Sequence, residues 1–173
     1  MKKVPLRLYD RSPLVVAPDL IGKVLARKYR GRIIRGIICE TESYLGKTDP
    51  ASHAFRGQTK RNSAMFKSFG CAYVYFIYGM YFCFNVVCEK EGVAGAVLVR
   101  GVITKDNNII DGPGKLCRFF HIEKPLNSEK LNGQKIWLED HGLIIPKNKI
   151  KKTPRIGIKE NNPKPWRFVI NIQ

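Results

Sequence analysis

Acidic residues are scarce in this chain, which sets 14 Asp and Glu against 31 Lys and Arg for a formal charge of +17. Between Asp49 and Glu89 there is no acid at all, although Arg56, Lys60, Arg61 and Lys67 lie in that stretch. So one-sided a charge strains a compact fold by self-repulsion, and a polyanionic partner relieves the strain. Residues 1–35 carry ten Lys and Arg against Asp10 and Asp19, and residues 147–167 carry eight against Glu160 alone. Cations spread this way suit a broad phosphate-facing surface better than a detachable tail. A nucleic acid is therefore the expected partner, with a ribosomal or merely basic soluble protein as the alternative.

Other absences narrow the class. The five cysteines include no CxxC pair and are odd in number, which suggests neither a zinc site nor a disulfide framework and fits a reducing, intracellular setting. HxE and PCxxC are both missing, so a zinc deaminase is excluded. The N-terminus MKKVPLRLYD has no apolar core of a signal peptide. No repeat, low-complexity run or linker divides the chain, so residues 1–173 are expected to form one domain. Phe69 to Cys88 runs for 20 residues without a formal charge, enough to span a bilayer. Its four tyrosines, Asn85 and two glycines argue instead for a buried hairpin, and no membrane partner is expected.

Hydrophobic residues make up 44% of the chain and charged ones 26%, a globular composition. Ser12-Pro13 opens and Gly22 closes a short helix or turn. Val24–Tyr29, Arg32–Tyr44, Ala72–Ile77, Tyr81–Cys88 and Ala94–Ile103 read as strands, followed by shorter ones at Lys135–Glu139, Leu143–Ile145, Arg155–Ile158 and Arg167–Ile172. Short helices are expected around Asn62–Phe66, over Lys115–Phe120 after Gly112-Pro113-Gly114, and from Ser128. The strands are mostly too closely spaced for crossover helices. The expected class is α+β: a curved, largely antiparallel sheet with peripheral helices and a protruding β-hairpin.

Chemistry concentrates in two places. In Glu40-Thr41-Glu42-Ser43-Tyr44, strand alternation puts Glu40, Glu42 and Tyr44 on one face. A ring that stacks on a planar base then shares a pocket with a carboxylate that can hold water. An N-glycosidic bond breaks through an oxocarbenium-like state, which needs a nearby negative charge and a general base. Alone, an ExE at a strand end reads first as solvent-exposed charge. The second place holds seven aromatics between Tyr73 and Phe84. Most of them suit a core. A turn at Gly79, however, makes Tyr78 and Met80 a protruding tip, the form of a wedge that enters a base stack. Tyr75 has the opposite parity to Tyr78 and can face the same pocket as Tyr44, so that two rings clamp a flipped base.

The segments ETESYLG, QTKRN with Met65-Phe66, YVYFIYGMYFCFN, VLVRG and GPGKL, in this order, resemble the alkyladenine (3-methyladenine) DNA glycosylase family from about Leu6 to Phe168. YVYxIYGMYxCxN is the most specific of them, while the C-terminal region matches only in pieces such as RIGI and PWRF. The resemblance implies base-excision repair without metal or cofactor, by a monomer acting on double-stranded DNA that contains alkylated or deaminated purines. It implies Glu42 as general base for the attacking water and Arg100 as the arginine that helps hold it. It implies Tyr44, Tyr75 and His53 around the flipped base, and Asn85 against the exocyclic amine of guanine. Tyr78, with Met80, would fill the gap left in the duplex. Taken singly, His53 reads as a surface histidine, Arg100 as a partner for an acid, and Asn85 as a satisfier of buried backbone groups. GPGKL lacks Walker spacing and reads as a helix start beside a phosphate. A lysine Schiff-base lyase and a noncatalytic nucleic-acid-binding module are the rival readings. The missing helix-hairpin-helix signature argues against the commonest lyase class.

Overall fold

The computed structural model describes residues 2–159 and 161–170. In chain order its regular elements are β1 (Lys2–Lys3), α1 (Pro13–Leu20), β2 (Val24–Tyr29), β3 (Arg32–Leu45), β4 (Ala72–Ile77), β5 (Tyr81–Val87), β6 (Gly95–Ile103), β7 (Ile109–Asp111), α2 (Pro113–Phe120), β8 (Ile136–Asp140), β9 (Ile150–Thr153) and β10 (Arg167–Ile170). The strands form one curled antiparallel sheet with a path β1-β8-β2-β3-β6-β5-β4. The expected α+β class, with its curved sheet, helices at the periphery and projecting hairpin, is borne out.

β3 is the hub. Its Arg32–Ile37 half pairs with β2 across the Arg30-Gly31 turn, where both residues have positive φ as a two-residue hairpin requires. Its Glu40–Glu42 half pairs with β10 instead, while β6 pairs with β3 from Ile37 to Leu45. The change of partner falls at an irregularity. Cys39 has no partner on β6, and two residues further on Arg100 of β6 has no partner on β3. Each is a bulge, which bends its strand and re-aims the side chains beyond it. Ile38 lies in the core with Val16, Ala17 and Leu20 of α1. Past the bulge the parity reverses, so Thr41 and Ser43 now donate to the Ala17 and Pro13 carbonyls of α1 at 3.0 and 2.8 Å. An unbroken strand would have driven Glu40 and Glu42 into that core beside Ile38.

Two helices close the core from one side. Ser12 caps α1 by accepting the Leu14 amide at 3.4 Å, and Pro13 occupies the first turn, where its missing N–H costs nothing. α2 buries Leu116, Cys117 and Phe120 and ends at His121 in the left-handed conformation. The uncharged Phe69–Cys88 run becomes the β4–β5 hairpin, and among the described residues no helix is long and apolar enough to cross a membrane.

The C-terminal third corrects several expected elements. Leu143–Ile145 forms no strand, and Arg155–Ile158 is a turn with Gly157 at φ +77°, the strand lying earlier at Ile150–Thr153. No helix begins at Ser128. That residue has φ +71° and donates its N–H to Ala72 at 2.8 Å, while Glu129 accepts the Ala72 N–H, so this segment extends the edge of β4. Of the strand expected over Arg167–Ile172, residues 171 and 172 lie outside those described.

A buried carboxylate ties β8 to β3. Glu139 accepts two bonds from Arg35 at 2.9 and 3.1 Å, one from Trp137 at 2.9 Å and one involving His141 at 2.7 Å. Burial opposes its ionisation, but the bonds from Arg35, His141 and Trp137 outweigh burial and hold its pKa at about 2. A depressed folded-state pKa stabilises above the ordinary value of 4.5, and that contribution is lost as pH falls towards 2. Glu139→Gln is therefore expected to be less stable than the wild type at neutral pH. The gap should narrow on acidification through this window, as read by urea unfolding of both proteins across pH.

Candidate active site

Beyond the bulges, β3 and β6 assemble a buried ionic cluster. The Arg100 Nε–H donates to Glu40 Oε1 at 2.8 Å and lies 3.4 Å from Glu42 Oε1. Arg167, carried in by β10, donates to the same Glu40 oxygen at 2.6 Å. Glu42 has no exposed surface, and its other contacts are the Ile156 N–H on Oε1 at 2.8 Å and the Tyr44 hydroxyl on Oε2 at 2.9 Å. Burial pushes the Glu42 pKa up. The Arg100 charge and the bonds from Ile156 and Tyr44 pull it back down, and the Glu40 charge adds to the rise. Arg100 remains cationic because Glu42 and Glu40 outweigh its own desolvation.

Above this cluster opens a cavity of about 550 Å³. Tyr44, His53, Tyr75, Asn85 and Arg100 all line it, so the structure brings together every residue expected to surround a base. β3 and β4 are separated by β6 and β5 in the sheet order. At about 4.8 Å per strand a flat sheet would hold Tyr44 and Tyr75 too far apart to share a small ligand. The curl closes that gap, and both rings line the one cavity. His53 packs edge-on against Tyr75 at 4.6 Å between centroids, and its Nδ1 pairs with the Tyr73 hydroxyl at 2.9 Å. Burial between these rings, and then the Arg61 charge, lower the His53 pKa and favour the neutral imidazole.

The rival readings of Arg100 and Asn85 hold alongside the pocket ones. Arg100 does pair with acids, and the Asn85 amide nitrogen does donate to a backbone carbonyl, that of Tyr73, at 3.1 Å. Both face the cavity as well. Each side chain is therefore fixed in orientation before any ligand arrives.

The β4–β5 turn projects from the cavity rim. Tyr78 is 82% exposed and Met80 63%, and Tyr78 sits at φ +54° before Gly79 at +67°. A left-handed conformation is strained for an aromatic residue, and strain kept at an exposed tip points to a use for its direction. Cations flank the hairpin. Arg61 lies over the Tyr75 ring at 5.7 Å, Arg118 over Tyr81 at 5.8 Å, and Lys115 opens onto the cavity from the start of α2.

Sequence reasoning missed the supports of this site. Glu40 has no role of its own in the sequence pattern, Tyr73 falls among aromatics that mostly suit a core, and Arg167 and Ile156 are visible only within short matching pieces. Asp49 and Arg155, a buried pair beneath Tyr44, carried no role. Arg155 opens the matching piece RIGI, and the signal for Asp49 is charge in Gly- and Pro-rich surroundings.

A family model described as methylpurine-DNA glycosylase matches residues 7–173. Three bacterial relatives are similar over nearly the full chain, each under a provisional 3-methyladenine DNA glycosylase name. The Ehrlichia chaffeensis protein is 48% identical over 166 residues, covering 94% of this chain and 89% of its own. The Rickettsia felis protein is 44% identical over 170 residues, covering 96% and 92%. The Sodalis glossinidius protein is 45% identical over 166 residues, covering 92% of each.

Arg100 neutralises two buried carboxylates at once, so its loss leaves charge without compensation. Arg100→Met is expected to destabilise the fold by about 3–5 kcal/mol, measured by urea unfolding at neutral pH. A loss within the error of the wild type would mean that water reaches both carboxylates.

Proposed function

The chain belongs to the methylpurine-DNA glycosylase family, and on that premise we propose that it rotates a damaged purine out of duplex DNA and hydrolyses its N-glycosidic bond. The observation that carries this reading is the Glu42 carboxylate, held 2.9 Å from the Tyr44 hydroxyl directly behind an aromatic-walled cavity. Tyr44 and Tyr75 stack on the two faces of the everted base, each ring contributing about 1–3 kcal/mol against the cost of unstacking. His53 contacts its edge as a neutral imidazole. Asn85, pinned by its bond to Tyr73, stands where the exocyclic amine of a normal guanine would have to fit. Tyr78, with Met80 beside it, fills the space that the base vacates, and the exposed cations around the hairpin meet the phosphates.

Glu42 acts as the base. An ionised carboxylate has about four acceptor positions. Ile156 and Tyr44 fill two of those of Glu42, and the Arg100 charge lies 3.4 Å away. A remaining position takes the nucleophilic water, admitted past the covering Tyr44 and Ile156 side chains when the substrate settles. The water oxygen bonds to C1′ as its proton passes to Glu42, and the C1′–N bonding pair leaves with the purine. The product is an abasic site. The negative charge of Glu42 also stabilises the oxocarbenium character of the sugar. Alkylated purines with a positive charge leave most readily. Hypoxanthine, a deaminated purine, is accepted because it pairs weakly and lacks the amine that meets Asn85.

Two variants test the reading. Glu42→Gln should lower release of 3-methyladenine and 7-methylguanine from methylated duplex DNA by at least about a thousandfold while retaining duplex binding. In the wild type, release should fall as pH drops through the raised Glu42 pKa, because the base must be ionised, so this acid limb should lie above the ordinary carboxylate range. Undiminished release by Glu42→Gln would sink the assignment. Tyr78→Ala, at an exposed tip, should fold normally and lose roughly tenfold in preference for lesion-bearing over undamaged duplex. Equal preference in a competition titration would remove the wedge.

A further inference from the structure

Arg155 is buried, and a buried arginine persists only where its whole fork is bonded. Its Nη1 and Nη2 donate to the two Asp49 oxygens at 2.7 and 2.9 Å, and Nη1 also reaches the Ser43 carbonyl at 3.0 Å. The same Asp49 oxygens accept the N–H groups of Leu45 and Ala51, each at 3.1 Å. One ion pair thus ties the end of β3, the loop after it and the C-terminal turn together. The guanidinium is also in contact with two rings, its carbon lying over Tyr44 at 4.7 Å and over Trp166 at 5.0 Å from the ring centres. Tyr44 therefore has the cavity in front of it and a charged, immobile plate behind it. The next residue, Ile156, gives its N–H to Glu42.

We propose that Arg155 is a positioning residue for the reaction: clamped by Asp49 and stacked between Tyr44 and Trp166, it sets the Tyr44 ring so that the hydroxyl stays on the Glu42 carboxylate. It is not among the residues lining the cavity. The inference rests on the proposed glycosylase reading. Lysine cannot replace it, because a single ammonium neither grips both oxygens of Asp49 nor stacks as a plane.

The consequence is electrostatic as well as steric. Around Glu42 stand Glu40 and Tyr44 of β3, Arg100 of β6, the Ile156 N–H and, from β5, Cys83, while Arg167 of β10 reaches it only through Glu40. Of these, Tyr44 is the group whose direction Arg155 controls. A Tyr44 hydroxyl released from Glu42 stops stabilising the ionised carboxylate, and the Glu42 pKa then rises further.

The test is single-turnover release of methylated purines from duplex DNA as a function of pH, with the full chain. Arg155→Lys and Asp49→Asn are each expected to slow release at neutral pH by at least about tenfold. They should also move the acid limb to higher pH while affinity for an abasic-site duplex stays within about twofold. Tyr44→Phe should shift the limb in the same direction, and Arg155→Lys added to it should shift the limb no further. Should the charge variants not fold, Trp166→Leu removes the rear wall without breaking the ion pair and carries the same expectation. An acid limb left at the wild-type position in Arg155→Lys, or in Trp166→Leu if it alone folds, overturns the inference. A wild-type protein that releases no methylated purine overturns the glycosylase reading itself.

Discussion

A single guanidinium shared between two buried carboxylates organises this molecule. Arg100 stands between Glu40 and Glu42 where solvent scarcely reaches, and the second arginine, Arg167, brings the cluster to electrical balance. Two carboxylates this close and this buried could not both stay ionised without those cations. The backbone serves the same end. Cys39 and Arg100 are each left without a cross-strand partner, and these two faults turn the acids away from the α1 core and turn the arginine towards them. Gly101 sits opposite, where an added Cβ would come within 3.2 Å of both Cys39 and Glu40. The fold tolerates broken ladder hydrogen bonds here because the side chains they redirect satisfy one another.

Around that cluster the charge distribution divides. Inside, the cations are matched to acids: Arg100 and Arg167 to Glu40, and Arg155 to Asp49. Outside, Lys115 and Arg118 stand exposed at the cavity mouth and Arg61 over the Tyr75 ring, part of the surplus that gives the chain its +17. The balanced interior sets local geometry and pKa. The unbalanced exterior acts over roughly a Debye length, about 8–10 Å at moderate salt, and falls away as salt rises. Attraction to DNA and the proposed chemistry at the base thus draw on two electrostatic systems, one sensitive to ionic strength and one shielded from it.

Much of the fold was legible because its signals are local. Period-two patterning gave β2 to β6, the Gly79 turn gave the hairpin tip, and Ser12-Pro13 gave the start of α1. The cavity-facing side chains were legible as a set because ETESY and YVYFIYGMYFCFN keep the strand period across them. The bulges were not, since nothing in Ile38-Cys39-Glu40 or Val99-Arg100-Gly101 distinguishes a fault from a regular strand, and only pairing reveals it. The C-terminal region resisted for a related reason. Its residues follow no period, and Arg155-Ile156-Gly157-Ile158 alternates like a strand yet turns, because its polar groups are spent on Asp49, Ser43 and Glu42 rather than on a neighbouring ladder.

The sequence separations within the cluster have a temporal meaning. Ile156 is 114 residues from Glu42, and Arg167 is 127 residues from Glu40. During translation both glutamates emerge long before the groups that will neutralise and orient them. At several residues per second, that interval lasts seconds or longer. A ribosome-bound chain can pair β2 with β3 early, yet the pocket floor stays unfinished until β10 docks. A nascent chain not yet extended through Arg167 therefore holds two buried-to-be carboxylates without the groups that balance and aim them.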